Sequence, residues 1–348
     1  MALCTTRANK SQLLLSNSVS MFHSRVAGTG SYLPPRLLTN GDIEKLVDTS
    51  DQWIRERTGI ERRHIASDDQ ATSDLAAEAA KIALKEAGME ASQLDLIIFA
   101  TVTGDHPLPS SACVLQTKLG CHEIPAFDLA AACSGFVYSL SVADQFIRTG
   151  MYQRILVVGA EVIHRFINYK DRETCILFGD GAGAVVVERA PKDDPNIIFS
   201  THLRAEGSLG ELFTLPGGGS KMPFRQDVLD RGDQFMRMKG REIFKNAVRT
   251  MSACCSQALE ANNVSAEQVD WLIPHQANMR IMEAVADHFG FPKSKVISVV
   301  HEMGNTSAAT IPVAFDMAVK DGRIKRGQLI LLTAFGAGLT AGSALLRF

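Results

Sequence analysis

Cys133 stands in Asp128-Leu129-Ala130-Ala131-Ala132-Cys133-Ser134-Gly135-Phe136, a stretch whose residue types suit a nucleophile. Small residues before it leave no bulk near the sulfur, and Gly135 admits close approach of backbone or substrate. No charge occurs from Leu129 to Ala143 beyond the start of the stretch, so a helix opening here is buried rather than amphipathic. A cysteine at the start of such a helix lies at the positive end of its dipole, which favours thiolate, and a thiolate is competent for acyl transfer. Taken alone, a cysteine is more often a small core residue, so the nucleophile reading needs partners. In Ile273-Pro274-His275-Gln276-Ala277-Asn278 an apolar strand ends at Pro274, and His275 lies just past its carboxyl end, where α/β proteins place ligands. Gly304-Asn305-Thr306-Ser307-Ala308-Ala309 is a second run of small residues opening a helix. His64, His122, His202 and His288 stand in polar or charged settings and read as solvated.

The elements that must position these residues are legible as an α/β pattern. Capping chemistry at Thr39-Asn40-Gly41-Asp42 opens a helix, and a charged helix carrying Trp53 covers 51–60. Thr72-Ser73-Asp74 caps an alanine-rich helix that ends near Gly88. Leu94–Thr101 is a continuous apolar run typical of a buried parallel strand. A helix over Ser110–Leu119, a strand over Ala126–Leu129, a helix over Cys133–Thr149 and a strand over Arg154–Gly159 follow. Phe178-Gly179-Asp180-Gly181-Ala182-Gly183-Ala184 leads into the strand Val185–Glu188, whereas a dinucleotide fingerprint must open a helix. It reads as a glycine-rich turn packed near a site.

The second half echoes the first. Asp95-Leu96-Ile97-Ile98, a loop and a helix ending at Gly120 match Asp270-Trp271-Leu272-Ile273, a loop and a helix ending at Gly290. The Cys133 stretch matches Gly304–Ala309, and Gly179–Glu188 matches Gly336–Arg347. The spacing predicts a duplicated βαβ-type unit, with Cys133 and Asn305 as equivalent positions facing one another across a pseudo-twofold axis.

Composition bounds the reading. The chain has 348 residues, 46% hydrophobic and 21% charged, with a net charge of -2. That is a globular chain with a sizeable core, and nothing global points to nucleic acid or a membrane surface. No apolar run reaches the roughly 18 residues of a spanning helix. The seven cysteines show no CxxC pair and no zinc spacing, so no metal is expected and the chain reads as reduced and cytoplasmic. Residues 1–22 read as a disordered N-terminal extension; a transit peptide, or a start misassigned upstream of Met21, remains open. Residues 23–195 and 196–348 form the two halves, the first holding the nucleophile, with a charged linker at Pro191–Pro195.

Taken together, A-A-C-S-G, P-H-Q-A-N, G-N-T-S-A-A and G-A-G-L-T-A-G-S-A-L-L resemble β-ketoacyl-ACP synthase III of the thiolase-like condensing enzymes, in order from about Arg25 to Phe348. Cys with His and Asn is the pattern of this type and of chalcone synthase relatives. A thiolase proper needs a second cysteine in the last glycine turn, and Gly336–Gly342 has none. The stretches G-T-G-S-Y-L-P and D-T-S-D-Q-W-I-R-E-R-T-G-I favour the bacterial type.

The resemblance implies a thiolase-like fold with a layered α-β-α-β-α core, a homodimer, and acyl-CoA and acyl carrier protein as partners, with no cofactor. It implies an acyltransferase in which Cys133 is acylated, while His275 and Asn305 stabilise the enolate formed as malonyl-ACP loses carbon dioxide. The backbone N–H groups of Cys133 and Ala337 form the oxyanion hole. Trp53, Arg57 and Arg172 match positions against the CoA nucleotide and phosphates, and Gly240, Phe244 and Asn278 match the lining of the pantetheine tunnel. Arg241, Lys245, Arg249 and Arg280 match or extend a basic carrier-protein dock, from which Asp287 departs. Leu108 matches the residue that closes the partner subunit's acyl pocket, often phenylalanine in the family, so starter length stays open. His301-Glu302-Met303 also departs from the family's basic or aromatic residues. A synthase III-like enzyme of a specialised pathway and a non-catalytic assembly homologue are the alternative readings; the intact Cys/His/Asn set argues against the second.

Overall fold

The computed structural model describes residues 22–348, so the expectations for residues 1–20 lie outside it. The first half contains β1 (Ser24–Tyr32), α1 (Asp51–Thr58), α2 (Thr72–Glu86), β2 (Leu96–Ala100), α3 (Ser111–Leu119), β3 (Ala126–Leu129), α4 (Gly135–Arg148), β4 (Arg154–Glu161) and β5 (Gly181–Arg189). The second contains β6 (Ile198–Ala205), α5 (Gly240–Ala261), β7 (Trp271–Pro274), α6 (Met279–His288), α7 (Thr310–Lys320), β8 (Leu329–Gly336) and β9 (Thr340–Arg347). The first sheet runs β1-β5-β4-β2-β3 and the second β7-β8-β9-β6. β2 is parallel to both β3 and β4, and β7 is parallel to β8.

Side-chain alternation along these strands builds the layers. Leu96 and Ile98 of β2 face the central core with Ile155 and Val157 of β4, while Ile97 and Phe99 face the outer layer formed with α2. In β8, Ile330, Leu332 and Ala334 enter the same central core, and Leu331 and Phe335 face α5 and α6. The central core also holds Phe136 and Leu140 of α4 and Ile311 and Phe315 of α7. The charge-free start of α4 is therefore explained: α4 and α7 lie between two sheets, and the order is helix, sheet, helix, sheet, helix.

The duplication is present, in a different register from the expected one. Arg154 and Leu329 open β4 and β8, and Gly135 and Thr310 open α4 and α7, each pair 175 residues apart. The left-handed residues Ala132 (φ 47°) and Ser307 (φ 51°) keep the same separation. Cys133 thus corresponds to Ala308, and Asn305 to Ala130, rather than to one another. β3 has no full counterpart; a single parallel bridge between Leu272 and Val296 stands at its place. Two local expectations also shift. The cap of α2 is Ala71, whose N–H donates to Asp74 at 2.8 Å, because Thr72 and Ser73 are engaged with Thr103 and Asp105. Cys133 sits in a separate 3-10 turn, Ala132–Ser134, just before α4.

Candidate active site

The three chemistry-bearing residues come from corresponding edges of the two halves. Cys133 is delivered by the turn between β3 and α4, His275 by the end of β7, and Asn305 by the turn before α7. All three line one cavity of about 460 Å³, and each is buried. Close backbone packing holds this geometry. A Cβ on Gly336 would lie 2.6 Å from the Cys133 N, so the end of β8 can press on the nucleophile's turn only as glycine. The glycine turn before β5 does pack near the site: Gly179 N–H donates to Asn305 O at 3.1 Å, and Asn305 N–H donates to Leu177 O at 2.9 Å.

Burial dominates the electrostatics. It pushes the Cys133 thiol up to about 12; the Ser307 side chain pulls it down and Glu161 pushes it up again. The helix start favours thiolate, and burial works against it by removing the sulfur from water. Burial also lowers His275 to about 3, so its imidazole is neutral. His275 Nδ1 lies 2.7 Å from Thr310 Oγ1, which is 2.9 Å from Ser307 O. Thr310 has one hydroxyl proton. Given to Nδ1, it leaves His275 with its own proton on Nε2, a donor; given to Ser307 O, it makes Nε2 an acceptor. Asn305 Oδ1 accepts the Ser307 N–H at 2.9 Å, which leaves its amide hydrogens free to donate.

The outer positions separate into groups. Gly240, Phe244, Asn278, Arg57, Arg241 and Arg280 line the same cavity as Cys133. Asn278 also caps α6, accepting the Ile281 N–H at 3.0 Å. Trp53 lines an outer basin that shares Arg57, Gly240, Arg241 and Arg280 with the cavity. The guanidiniums of Arg57 and Arg172 lie 5.6 and 5.0 Å from its ring centre. Ala337 directly follows Gly336 at the end of β8 and is partly exposed. Arg249 borders a separate cleft with Arg204 and Asn246, and Lys245 is exposed on the same helix. Leu108 is 87% exposed and lies outside the cavity lining.

Sequence reasoning missed Glu161, Ser307 as the residue between it and Asn305, and Thr310. One signal was available for Glu161: a carboxylate closing the apolar run Ile155–Ala160 is a costly residue to bury without a purpose.

The family model described as 3-oxoacyl-[acyl-carrier-protein (ACP)] synthase III matches residues 127–207, and the model of its C-terminal part matches 259–348. The first span holds Cys133, the second His275 and Asn305. The chain is 53% identical over 332 residues to the β-ketoacyl-[acyl-carrier-protein] synthase III of Thiobacillus denitrificans, covering 94% of this chain and 100% of that one. The crystal structure of 3-oxoacyl-[acyl-carrier-protein] synthase III from Aquifex aeolicus is 48% identical with a TM-score of 0.86, covering 93% of this chain and 100% of that one. The corresponding structure from Pseudomonas aeruginosa is 38% identical with a TM-score of 0.87, covering 94% and 98%. The fold, the likeness along nearly the whole chain and the two family matches lead to one conclusion: this chain belongs to the β-ketoacyl-[acyl-carrier-protein] synthase III family.

Proposed function

We propose that Cys133 takes the acyl group of acetyl-CoA, or another short acyl-CoA, and passes it to malonyl-ACP. The protein is a condensing acyltransferase that initiates fatty-acid synthesis. The observation that carries the residue assignment is the convergence of Cys133, His275 and Asn305, from three distant segments, on one buried cavity. In the first step the Cys133 sulfur attacks the acyl carbon, the bond to the CoA sulfur breaks, and CoA leaves as its thiol. In the second, malonyl-ACP loses carbon dioxide and the electron pair passes into its thioester as an enolate. Donors from Asn305 and from His275 Nε2–H stabilise that oxygen. The enolate carbon attacks the acyl-cysteine, the cysteine's carbon–sulfur bond breaks, and Cys133 recovers its proton, giving 3-oxoacyl-ACP. The N–H groups of Cys133 and Ala337 hold the developing oxyanion. The reaction so written requires no cofactor.

Trp53, Arg57 and Arg172 are read as the CoA nucleotide and phosphate contacts, supported by their clustering at the outer basin. Gly240, Phe244 and Asn278 are read as the pantetheine lining. Arg241, Lys245, Arg249 and Arg280 are read as the carrier-protein dock. A homodimer is supported by the exposed Leu108, by Val102 at 38% exposure and by β3 at the edge of its sheet. A reducing, cytoplasmic setting accords with the six free cysteines among the described residues. No described helix is long and apolar enough to cross a membrane. The test is intact-mass measurement after incubation with acetyl-CoA: one added acetyl group is expected, absent in Cys133→Ala. Retained labelling in that variant overturns the assignment.

A further inference from the structure

Ser307 meets Asn305, the Thr310 hydroxyl beside His275 and the buried Glu161 carboxylate, each through a different polar group. The Ser307 N–H holds Asn305 Oδ1 at 2.9 Å. Its C=O lies 2.9 Å from the Thr310 hydroxyl that touches His275 Nδ1. Its side chain donates to Glu161 Oε1 at 3.0 Å. Ser307 does this from a left-handed backbone, φ 51°, which a residue with a side chain adopts only when its surroundings impose it.

Glu161 supplies the anchor. It ends β4 and is fully buried. Beyond Ser307, its carboxylate accepts the Thr101 hydroxyl at 3.0 Å, the Val102 N–H at 3.1 Å, and the Thr103 N–H and hydroxyl at 3.1 and 2.5 Å. The same carboxylate therefore grips the turn beneath the site and the segment that leads to Leu108. A carboxyl buried this completely is costly, and filling space needs no charge. The polar contacts of Glu161 instead converge on the backbone and hydroxyls that set the reacting groups.

We infer that Glu161, acting through Ser307, is a positioning residue that holds Asn305 and the turn before α7 in register with the site, and ties them to the 101–103 segment. The inference rests on the proposed role of Asn305. Glu161→Gln keeps the shape but sets an amide N–H group among donors. Ser307→Ala removes only the hydroxyl. In the full-length protein, kcat for condensation of acetyl-CoA with malonyl-ACP falls roughly ten- to a hundredfold in each variant, the scale of a small misplacement of reacting groups. KM for both substrates stays within about twofold, a split that a general loosening of the fold does not produce. The double variant is no worse than the poorer single one, because both changes cut one chain of contacts. The acyl-CoA chain-length profile broadens only in Glu161→Gln, which alone releases the 101–103 segment. A kcat within about twofold of wild type in Ser307→Ala overturns the inference, even if Glu161→Gln fails to fold. So does a double variant whose loss is the product of the two single losses. Wild-type protein that gains no acetyl mass at Cys133 overturns the site reading, and the inference with it.

Discussion

His275 owes its role to what surrounds it. Burial holds its folded value at about 3, below the ordinary 6.5, so the unfolded chain takes up a proton between those limits and the folded protein does not. Stability from this group is full above pH 6.5 and is lost as pH falls toward 3. Acidification from pH 6.5 to 5 removes about 1.5 kcal/mol through His275 alone. Denaturant unfolding at both pH values should show that loss in wild type and lack it in His275→Ala; parallel profiles sink the argument. Thr310 decides what the neutral ring can do. Thr310→Val keeps the shape but removes the hydroxyl beside Nδ1, so the proposed Nε2–H donor loses the group that can direct its tautomer. Acylation of Cys133 should persist, while malonyl-ACP decarboxylation falls up to the 10²–10³ that one preorganised donor is worth. Equal loss in both half-reactions, measured by intact mass and carbon dioxide release, shows that Thr310 acts elsewhere.

On α5, Arg241, Lys245 and Arg249 recur every four residues and share one face. Arg241 lies at the cavity, as does Arg280 of α6, whose guanidinium is 5.7 Å from the Phe244 ring centre. Lys245 and Arg249 carry the basic face away from that mouth, as a dock must do if an acidic carrier is to reach the entrance. Reversing both to glutamate should raise KM for malonyl-ACP about tenfold or more, and the effect should shrink with added salt. Self-acylation by acetyl-CoA is the control. If it falls in step, the substitutions have damaged α5 rather than the dock.

In the proposed homodimer, starter length belongs to the scale of the assembly. A leucine 87% exposed beside an edge strand is a poor surface residue but a suitable wall for a neighbour's pocket. Each added methylene is worth roughly 0.8 kcal/mol when it finds room, and overpacking costs about 1–3 kcal/mol. Wild type should accept acetyl-CoA and use propionyl- or butyryl-CoA measurably, and Leu108→Phe should narrow the range toward acetyl. A panel of acyl-CoAs on both proteins, each run as the species that sedimentation identifies, checks this. Indistinguishable profiles remove Leu108 from the pocket.

The sequence by itself determined the strands, the buried α4, the existence of a duplication and the Cys133, His275 and Asn305 set. Each is a short-range pattern: the continuous apolar run Leu96–Ala100, the charge-free run after Leu129, small residues opening two helices. Tertiary structure alone decided the register of the repeat, because Cys133 and Asn305 looked equivalent by spacing while the strands align Cys133 with Ala308. It also decided that burial raises the thiol, since desolvation depends on every element packed around the sulfur. Glu161 and Ser307 lie 146 residues apart and meet only when β4 and the turn before α7 pack together. No spacing within the chain announces that contact; it follows from how two distant segments close on one another.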